Sequence, residues 1–236
     1  MAAVIENVRE RHRVWAPVEG YNLVAPVYDH WHWRPFWLKN ESPYIEEIVR
    51  RTGTQPRRSL DLGCGTGTYC SILGRYGEVV GVDPAVEMLK VARRRAPSAA
   101  NLICGSASAI PLDDESVGMT IAARSLCHES DLAKAFQELA RVTVRGGTCI
   151  LSEVHAQHDY PRTRIPFGSD YVYIRTFKRL PREIIEVASA GTEWQVEHVR
   201  EMRWEDLAWQ PNDDCFNRID QSNKRPIFYV MELRRC

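Results

Sequence analysis

The stretch SLDLGCGTG, residues 59–67, decides the fold of this chain. It is typical of a buried strand over 58–62 that runs directly into a glycine-rich turn, and helical spacing of apolar residues begins at about Tyr69. Because the three glycines alternate with other residues, one face of the turn has no Cβ atoms and its backbone N–H groups can approach a ligand closely. The next helix would direct the positive end of its dipole to the same place. The stretch therefore predicts a ligand site where a strand, a turn and a helix meet.

A carboxylate follows the next apolar run. Residues 79–82 read Val-Val-Gly-Val and are followed by Asp83, which predicts a neighbouring strand with an acid at its tip. A carboxylate in that place can accept hydrogen bonds from the two hydroxyl groups of a ribose. Asp83 would also cap the helix that begins after Pro84. The glycine turn and Asp83 together predict a ligand that contains adenosine.

Composition places the chain among soluble globular proteins. Of its 236 residues, 44% are hydrophobic and 26% are charged, and 31 basic residues balance 31 acidic ones. No apolar run approaches the ~20 residues of a membrane span, and the balanced charge argues against a nucleic acid as partner. The segment 1–13 is too charged for a secretory signal, and the seven cysteines form no Cys-x-x-Cys pair or zinc-type cluster. We therefore expect a cytoplasmic protein that binds neither a membrane nor a metal.

Strands and helices alternate through most of the chain. The pattern predicts strands over 58–62, 78–82, 101–104, 117–123 and 148–154, with helices over 68–75, 85–95 and 131–143, the last ended by Gly146-Gly147. A helix over 181–190 and strands over 193–202 and 226–234 complete the pattern. This order is typical of a parallel sheet with helices on both faces.

Two segments interrupt the alternation. Aromatic residues crowd the segment 21–37, which we interpret as a lid whose rings either pack on the sheet or line a pocket for a flat organic molecule. A second segment, about 155–179, is rich in His, Arg and aromatic residues and is interpreted as an inserted loop. The predicted organisation is an N-terminal arm and aromatic lid over 1–40 and one domain over 41–236 that carries the insertion.

Three kinds of nucleotide-binding turn share this glycine-rich character. A phosphate-binding loop requires a lysine after the last glycine, where this chain has Thr68. A dinucleotide fold requires Gly-x-Gly-x-x-Gly, whereas the glycines here stand at 63, 65 and 67. The remaining pattern, Asp-x-Gly-x-Gly-x-Gly, resembles that of the class I S-adenosylmethionine-dependent methyltransferases, particularly the small-molecule branch with ubiquinone-type and antibiotic-modifying enzymes. The resemblance is close over 58–154 and looser over 181–234.

The resemblance implies a fold and a cofactor. The fold is a seven-stranded, mostly parallel Rossmann-like sheet with one reversed strand near the C-terminal edge, and the cofactor is S-adenosyl-L-methionine, which leaves as S-adenosyl-L-homocysteine. Asp61 would lie beneath the turn and meet the amino group of the methionine part, directly or through water, and Asp83 would hold the ribose. Ser106 stands where the family usually has Asp, so a hydroxyl group would contact the adenine. The implied cofactor-binding residues are Asp61, Gly63, Gly65, Gly67, Asp83, Pro84, Met88, Ser106 and Ala107.

His128 is the candidate catalytic residue. It follows the strand over 117–123 and, by the resemblance, faces the transferred methyl group, where it either acts as a general base or only shapes the pocket. Glu153 and His155 either bind the acceptor or form a polar pair at a strand end. An arginine in the insertion could pair with an anionic group of the acceptor. The candidate substrate-binding residues are Tyr28, Trp31, Trp33, Glu153, His155 and Arg164.

These observations predict an enzyme that transfers a methyl group from S-adenosylmethionine to a nitrogen or oxygen of a small organic acceptor. The aromatic lid favours a ring-bearing specialised metabolite, and we expect a monomer or a homodimer. Two alternatives stay open. One is an RNA or protein methyltransferase, and the other is a protein of this fold that does not transfer a methyl group.

Overall fold

The computed structural model describes residues 13–31, 33–52, 58–95, 100–158, 163–190, 193–208 and 224–236. The strands in these ranges are β1 (Val14–Trp15), β2 (Arg58–Leu62), β3 (Glu78–Asp83), β4 (Ala100–Cys104), β5 (Val117–Ala123), β6 (Thr143–Val154), β7 (Thr163–Phe167), β8 (Asp170–Ile174), β9 (Trp194–Met202) and β10 (Phe228–Arg235). The helices are α1 (Pro17–Val24), α2 (Trp33–Asn40), α3 (Ser42–Thr52), α4 (Thr68–Leu73), α5 (Val86–Arg95), α6 (Leu132–Val142) and α7 (Pro181–Ser189). Short 3₁₀ turns cover Tyr28–His30, Leu126–His128 and Trp204–Asp206.

Seven strands form the central sheet, in the order β4-β3-β2-β5-β6-β10-β9. The strands from β4 to β6 pair in parallel, and β10 runs antiparallel to both β6 and β9. The predicted seven-stranded, mostly parallel sheet with one reversed strand near its C-terminal edge is therefore confirmed. The chain leaves β2 towards β3 and later returns to β5 on the other side of β2. Such a reversal opens a crevice at the carboxyl ends of β2 and β5.

Both faces of the sheet are covered, which explains the continuous apolar runs of its strands. In β5, Met119 and Ile121 pack on the face covered by α3, α4 and the aromatic lid, whereas Ala122 packs with α6 and α7. β10 alternates in the same way, with Phe228 on the lid's face and Tyr229 on the other. The period-two alternation of a strand divides one apolar run between two cores.

The N-terminal arm and the insertion meet in a cap over the crevice, and we call residues 13–31, 33–40 and 163–179 the cap. β1 pairs in parallel with β8, and β8 pairs antiparallel with β7, which gives a separate three-stranded sheet. Ile165 and Ile174 of this sheet are fully buried in the same core as Val24 and Trp31. The two segments that interrupt the alternation in sequence thus become one structural unit.

The end of α6 differs from the sequence prediction. Gly146 and Gly147 do not end the helix, because α6 ends at Val142 and β6 begins at the next residue. The pairing of β6 with β5 shifts register between Thr143 and Thr148, so the glycines lie in a bulge. Gly146 has a φ of +75°, a conformation that glycine adopts without strain. The two glycines therefore serve the bulge of β6.

Some predictions fall on residues outside the described ranges. These residues include 1–12 of the N-terminal arm and 159–162 of the insertion. Within the described ranges, no helix is long and apolar enough to cross a membrane. The same residues contain no group of three or more His, Cys, Asp or Glu side chains that could hold a metal ion.

Replacing Phe136 by alanine should destabilise the core between the sheet and α6. Phe136 is 0% exposed, and its removal leaves a cavity that the surrounding side chains fill only in part. We expect Phe136→Ala to lower the free energy of unfolding by about 3–5 kcal/mol, measured by urea unfolding followed by circular dichroism. Val86→Ala on α5, where the side chain is 45% exposed, is the control and should change it by less than about 0.5 kcal/mol. Equal losses would contradict the placement of Phe136 in the core.

Candidate active site

The glycine-rich turn is held against the end of β3. The N–H groups of Gly63 and Cys64 both donate to the carbonyl oxygen of Val82, at 2.7 and 3.1 Å. The three glycines have φ angles of +72° at Gly63, +50° at Gly65 and +83° at Gly67, a region that other residues enter only with strain. The alternating glycines of the sequence are therefore required by the backbone of this turn.

Asp83 joins the turn to the next strand. Its Oδ2 accepts a hydrogen bond from the N–H of Gly65, and its Oδ1 accepts one from the N–H of Ala85, both at 2.8 Å. Burial raises the pKa of Asp83, and these two hydrogen bonds oppose the rise. Asp83 also lines a cavity, and each carboxylate oxygen keeps a further lone pair for a ligand hydroxyl group.

Asp61 ends its strand directly before the turn. Its side chain is buried and accepts hydrogen bonds from the backbone and thiol of Cys70. Its Oδ2 has no hydrogen-bond partner among the described residues. Desolvation raises the pKa of Asp61 from 3.8 to about 7. An unpaired buried carboxylate oxygen is unfavourable, so a positively charged ligand group beside it would be stabilised.

A cavity beneath the cap connects the turn with the aromatic lid. It extends from the carboxyl ends of β2 and β3 to the rings of α2 and to the 3₁₀ turn after β5. The sequence-predicted residues that line it are Gly63, Gly65, Asp83, Pro84, Met88, Tyr28, Trp31, Trp33 and His128. Residues predicted to bind the cofactor and residues predicted to bind the acceptor thus share one cavity.

Four of the predicted cofactor residues do not line this cavity. Asp61 and Gly67 belong to the base of the turn, where Gly67 precedes the first residue of α4. Ser106 and Ala107 lie in the turn after β4. The Oγ of Ser106 is 3.2 Å from the Oγ of Ser108, and Ala107 packs against the core on the α6 side of the sheet. A contact between these last two residues and a ligand stays a prediction.

Three of the predicted acceptor-binding residues also lie outside the cavity wall. Glu153 is buried below it, where Oε1 accepts a backbone hydrogen bond of 3.0 Å from the 3₁₀ turn and desolvation raises its pKa to about 7. Nε2 of His155 is 3.1 Å from a carboxylate oxygen of Glu201. The guanidinium of Arg164 lies 5.3 Å from the ring centroid of Tyr171. These three side chains make contacts within the protein, and a role in binding the acceptor stays a prediction.

Asp29 forms hydrogen bonds that connect the cap with the glycine-rich turn. Its Oδ1 accepts a hydrogen bond of 2.8 Å from the hydroxyl group of Thr66, and its two oxygens accept bonds of 2.8 and 2.5 Å from Arg95. Nε of Arg34 is 3.2 Å from the same carboxylate. Burial acts to raise the pKa of Asp29, but the hydrogen bonds and positive charges outweigh it and the pKa is lowered. A charged group of the lid is therefore tied directly to the ligand turn.

A buried charge pair beside the cavity was not predicted from the sequence. Glu41 is fully buried, accepts hydrogen bonds of 2.5 Å from the hydroxyl groups of Tyr69 and Ser152, and forms an ion pair with Arg124. Arg124 lines the cavity with its guanidinium 4.6 Å from the ring of Trp37. Its φ of +55° is unusual for a residue with a side chain, and such strain is common at functional sites. The only sequence signal was the place of this arginine directly after β5.

His128 is held by hydrogen bonds at both ring nitrogens. Its Nε2 is 2.7 Å from the hydroxyl oxygen of Tyr21, and its Nδ1 is 2.7 Å from the carbonyl oxygen of Arg175. Desolvation lowers the pKa of His128 to about 4, so its imidazole is neutral at neutral pH. Tyr21 belongs to the aromatic block, but no local pattern distinguishes it there as a site residue.

Comparison with known proteins identifies the central segment. Residues 60–151 match the family model described as "Methyltransferase domain". The chain is 47% identical over 92 residues to an uncharacterized methyltransferase of Mycobacterium bovis, an alignment that covers 39% of this chain and 37% of the relative. The chain therefore spans well under half the length of this curated relative.

Solved structures share the fold over a longer part of the chain. An S-adenosylmethionine-dependent methyltransferase of Mesorhizobium loti aligns with a TM-score of 0.62 and 20% identity, over 83% of this chain and 97% of that one. The cyclase SpnF aligns with a TM-score of 0.64 and 17% identity, over 94% and 99%. At these identities the likeness shows the fold alone. Residues 60–151 therefore match a methyltransferase domain, and the chain shares the fold of S-adenosylmethionine-dependent methyltransferases.

Gly63→Ala should disrupt the ligand turn. A Cβ at Gly63 would stand 2.3 Å from the Cβ of Ser125, whereas one at Gly146 would have nothing within 4 Å. Both positions have positive φ, so Gly146→Ala reports the backbone strain without the clash. We expect Gly63→Ala to lose about 1–3 kcal/mol more unfolding free energy than Gly146→Ala, measured by urea unfolding. An equal loss for the two variants would mean that the turn has room for a side chain.

Asp61 should make the protein less stable as the pH rises towards neutrality. The pKa of Asp61 is raised from 3.8 to about 7, so the folded protein binds this proton more tightly than the unfolded chain does. The resulting stabilisation is complete below about pH 4 and is lost as the pH rises through about 7. Asp61→Asn should therefore show a smaller fall of unfolding free energy between these values, measured by urea unfolding at several pH values. A slope identical to that of the wild type would contradict the raised pKa.

Glu153→Gln provides a comparison for that measurement. Desolvation also raises the pKa of Glu153, from 4.5 to about 7, so its ionisation adds a further fall of the unfolding free energy as the pH rises. In the double variant, the unfolding free energy should depend less on pH than in either single variant, because each substitution removes the contribution of one carboxyl group.

Proposed function

We propose that this protein transfers a methyl group from S-adenosylmethionine to an oxygen or nitrogen of a small organic molecule bound beneath the cap. The observation that carries the proposal is the single cavity that joins the glycine turn and Asp83 to a wall of aromatic rings. The match of residues 60–151 to a methyltransferase domain supports the reaction, and the aromatic wall supports the kind of acceptor.

The residues around the turn fit the cofactor. Asp61 lies beneath the turn and outside the cavity wall, so its unpaired Oδ2 would meet the amino group of the methionine part through water, which would also favour the ionised carboxylate. Asp83 lines the cavity and keeps lone pairs for the ribose hydroxyl groups. A Cβ built at Gly65 meets nothing within 4 Å, so a ligand can pass close to the backbone there. Pro84 and Met88 would lie beside the adenine.

S-adenosylmethionine supplies an already activated methyl group, so the contribution of the protein is alignment and exclusion of water. The bonds from Asp29 to Thr66 and Arg95 hold the cap down on the turn and keep the cavity covered. Tyr28 and Trp31, whose ring centroids are 5.7 Å apart, line the same cavity, and a ring face turned to the cofactor would stabilise its cationic sulfur.

The cavity wall favours a flat acceptor that carries a ring. Trp33 and Trp37 are stacked with ring centroids 6.1 Å apart, and both line the cavity. Aromatic walls of this kind bind planar organic molecules and exclude water from them. We therefore propose a ring-bearing specialised metabolite as acceptor. A macromolecule would have to enter beneath the cap, which argues against RNA or protein.

A second candidate function is a reaction other than methyl transfer. The similarity of the chain to the cyclase SpnF favours this candidate, because the same fold there belongs to a protein named for a cyclisation. A fold by itself does not determine a reaction. Binding of S-adenosylmethionine without methyl transfer to any acceptor would favour this candidate.

Asp83→Ala should weaken cofactor binding. Calorimetric titration should detect S-adenosylmethionine and S-adenosylhomocysteine binding to the wild type and binding about 10- to 100-fold weaker to the variant, because hydrogen bonds to a charged group are lost. Asp113→Ala, at an exposed position after β4, is the control and should bind as the wild type does. Transfer of labelled methyl to a panel of phenols and aromatic amines should then identify the acceptor. Absence of binding to either ligand would refute the proposed function.

A further inference from the structure

The hydrogen bonds of His128 determine where its protons lie. The carbonyl oxygen of Arg175, 2.7 Å from Nδ1, can only accept a hydrogen bond, so Nδ1 must carry a proton. In the neutral ring Nε2 is then an acceptor, and the hydroxyl group of Tyr21, 2.7 Å away, must donate to it. The two contacts therefore assign one tautomer to the imidazole.

These contacts also occupy both nitrogens of His128. A bound acceptor finds no lone pair on Nδ1, and the lone pair of Nε2 is taken by Tyr21. The oxygen of Tyr21, by contrast, donates one hydrogen bond and keeps its own lone pairs, and Tyr21 lines the cavity. A proton from the acceptor can therefore reach His128 only through the hydroxyl group of Tyr21.

Three parts of the chain build this arrangement. Tyr21 lies on α1 in the cap, and His128 ends the 3₁₀ turn after β5. Arg175 follows β8, and its N–H donates to the carbonyl oxygen of Trp15 at 3.0 Å. The N–H of Phe177 donates to the carbonyl oxygen of Cys127 at 2.7 Å, which fixes this segment beside the 3₁₀ turn. The pair of Tyr21 and His128 is therefore complete only when the cap lies over the sheet.

We propose that Tyr21 and His128 form a two-residue proton relay in which the hydroxyl group of Tyr21 contacts the acceptor. This inference rests on the proposed function. As the acceptor oxygen bonds to the methyl carbon, the carbon–sulfur bond breaks and its electron pair stays on sulfur. The O–H proton of the acceptor passes to the oxygen of Tyr21, and the proton of Tyr21 passes to Nε2 of His128.

The charges of the site balance in this step. Tyr21 ends as a phenol and His128 as an imidazolium, so the positive charge that sulfur loses reappears on the imidazole. Burial keeps the pKa of Tyr21 well above its ordinary value, so the residue relays a proton without remaining ionised. The titratable groups that act on Tyr21 are Tyr28, Cys127, Arg124 and Asp83. After the products leave, the proton of the imidazolium returns through the hydroxyl group of Tyr21 to water, which restores the pair.

The relay also defines the acceptor. Because desolvation lowers the pKa of His128, the imidazole is a weak base, and the relay works best with an acceptor hydroxyl group that is itself acidic. A neutral amine needs no base before it attacks. An acidic hydroxyl group, as in a phenol or an enol, is the acceptor that gains from this relay, and the aromatic wall of the cavity suits a phenol.

Nitrogen NMR of the labelled protein tests the pair without any acceptor. His128 should show a protonated Nδ1 and an unprotonated, hydrogen-bonded Nε2, and it should stay neutral across the range from weakly acidic to weakly alkaline pH. In Tyr21→Phe the Nε2 resonance should move towards that of a free imidazole nitrogen. Tyr76→Phe, before β3 at the opposite end of the sheet, is the matched control and should leave it unchanged. A proton on Nε2, or titration at the ordinary pKa of histidine, would overturn the relay.

Two phenols test the catalytic role. At about pH 8, 4-nitrophenol is largely ionised, whereas 4-methylphenol keeps its proton, as tyrosine does. Tyr21→Phe and His128→Gln should each lower kcat for 4-methylphenol by about 10²–10⁴-fold, and the double variant should lose no more than either single variant. With 4-nitrophenol the loss should be less than about threefold, because no proton has to be moved. Equal losses with the two phenols would overturn the relay.

The remaining outcomes separate the relay from the proposed function. A wild-type protein that binds S-adenosylmethionine but methylates neither phenol would overturn the assignment of an acidic hydroxyl group as acceptor. A protein that does not bind S-adenosylmethionine would refute the proposed function itself, whatever the state of His128. Multiplicative losses in the double variant would show that the two residues act separately, which also overturns the relay.

Discussion

The carboxylate of Glu41 is the group on which the arrangement of the site depends. It is fully buried and would be highly unfavourable without partners, so it needs the hydroxyl groups of Tyr69 and Ser152 and the charge of Arg124. Tyr69 lies in the first turn of α4, just after the glycine turn, and Ser152 lies near the end of β6. Arg124 follows β5 and leads into the 3₁₀ turn that ends at His128. One buried charge therefore fixes the cofactor turn, the end of the sheet and the candidate base relative to one another.

The cap packs on the same buried ion pair of Glu41 and Arg124. The ring of Trp37 packs on the guanidinium of Arg124, so the aromatic lid is anchored on the charge pair. Asp29 adds a second anchor at the glycine turn through Thr66 and Arg95. The cap contributes Tyr21 to the contact with His128. The site is therefore complete only when the cap lies over the sheet.

Burial sets the protonation of the site. Desolvation raises the pKa of Asp61 and of Glu153 to about 7 and lowers that of His128 to about 4, which in each case disfavours the charged form. Charge survives where partners offset burial, as at Asp29, or where an ion pair compensates it, as at Glu41 and Arg124. A site of this kind interacts strongly with a cation that enters it, because little water remains to screen the interaction. The cofactor of the proposed reaction carries such a charge on sulfur.

The sequence by itself determined the features that short-range rules encode. The glycines at 63, 65 and 67 predict a turn with positive φ, and alternating apolar runs predict strands and helices, because backbone sterics and side-chain periodicity act over a few residues.

Only the tertiary structure decided which distant residues meet. Tyr21 and His128 are 107 residues apart, and Glu41 and Arg124 are 83 apart. The pairing of β1 with β8 likewise joins the N-terminal segment of the cap to residues 163–179. Glu153 and His155 stand at the end of β6, but neither lines the cavity, because Glu153 accepts a hydrogen bond from the backbone of Cys127 and His155 lies beside Glu201. Such contacts depend on how the elements pack, and no local pattern in the chain specifies that packing.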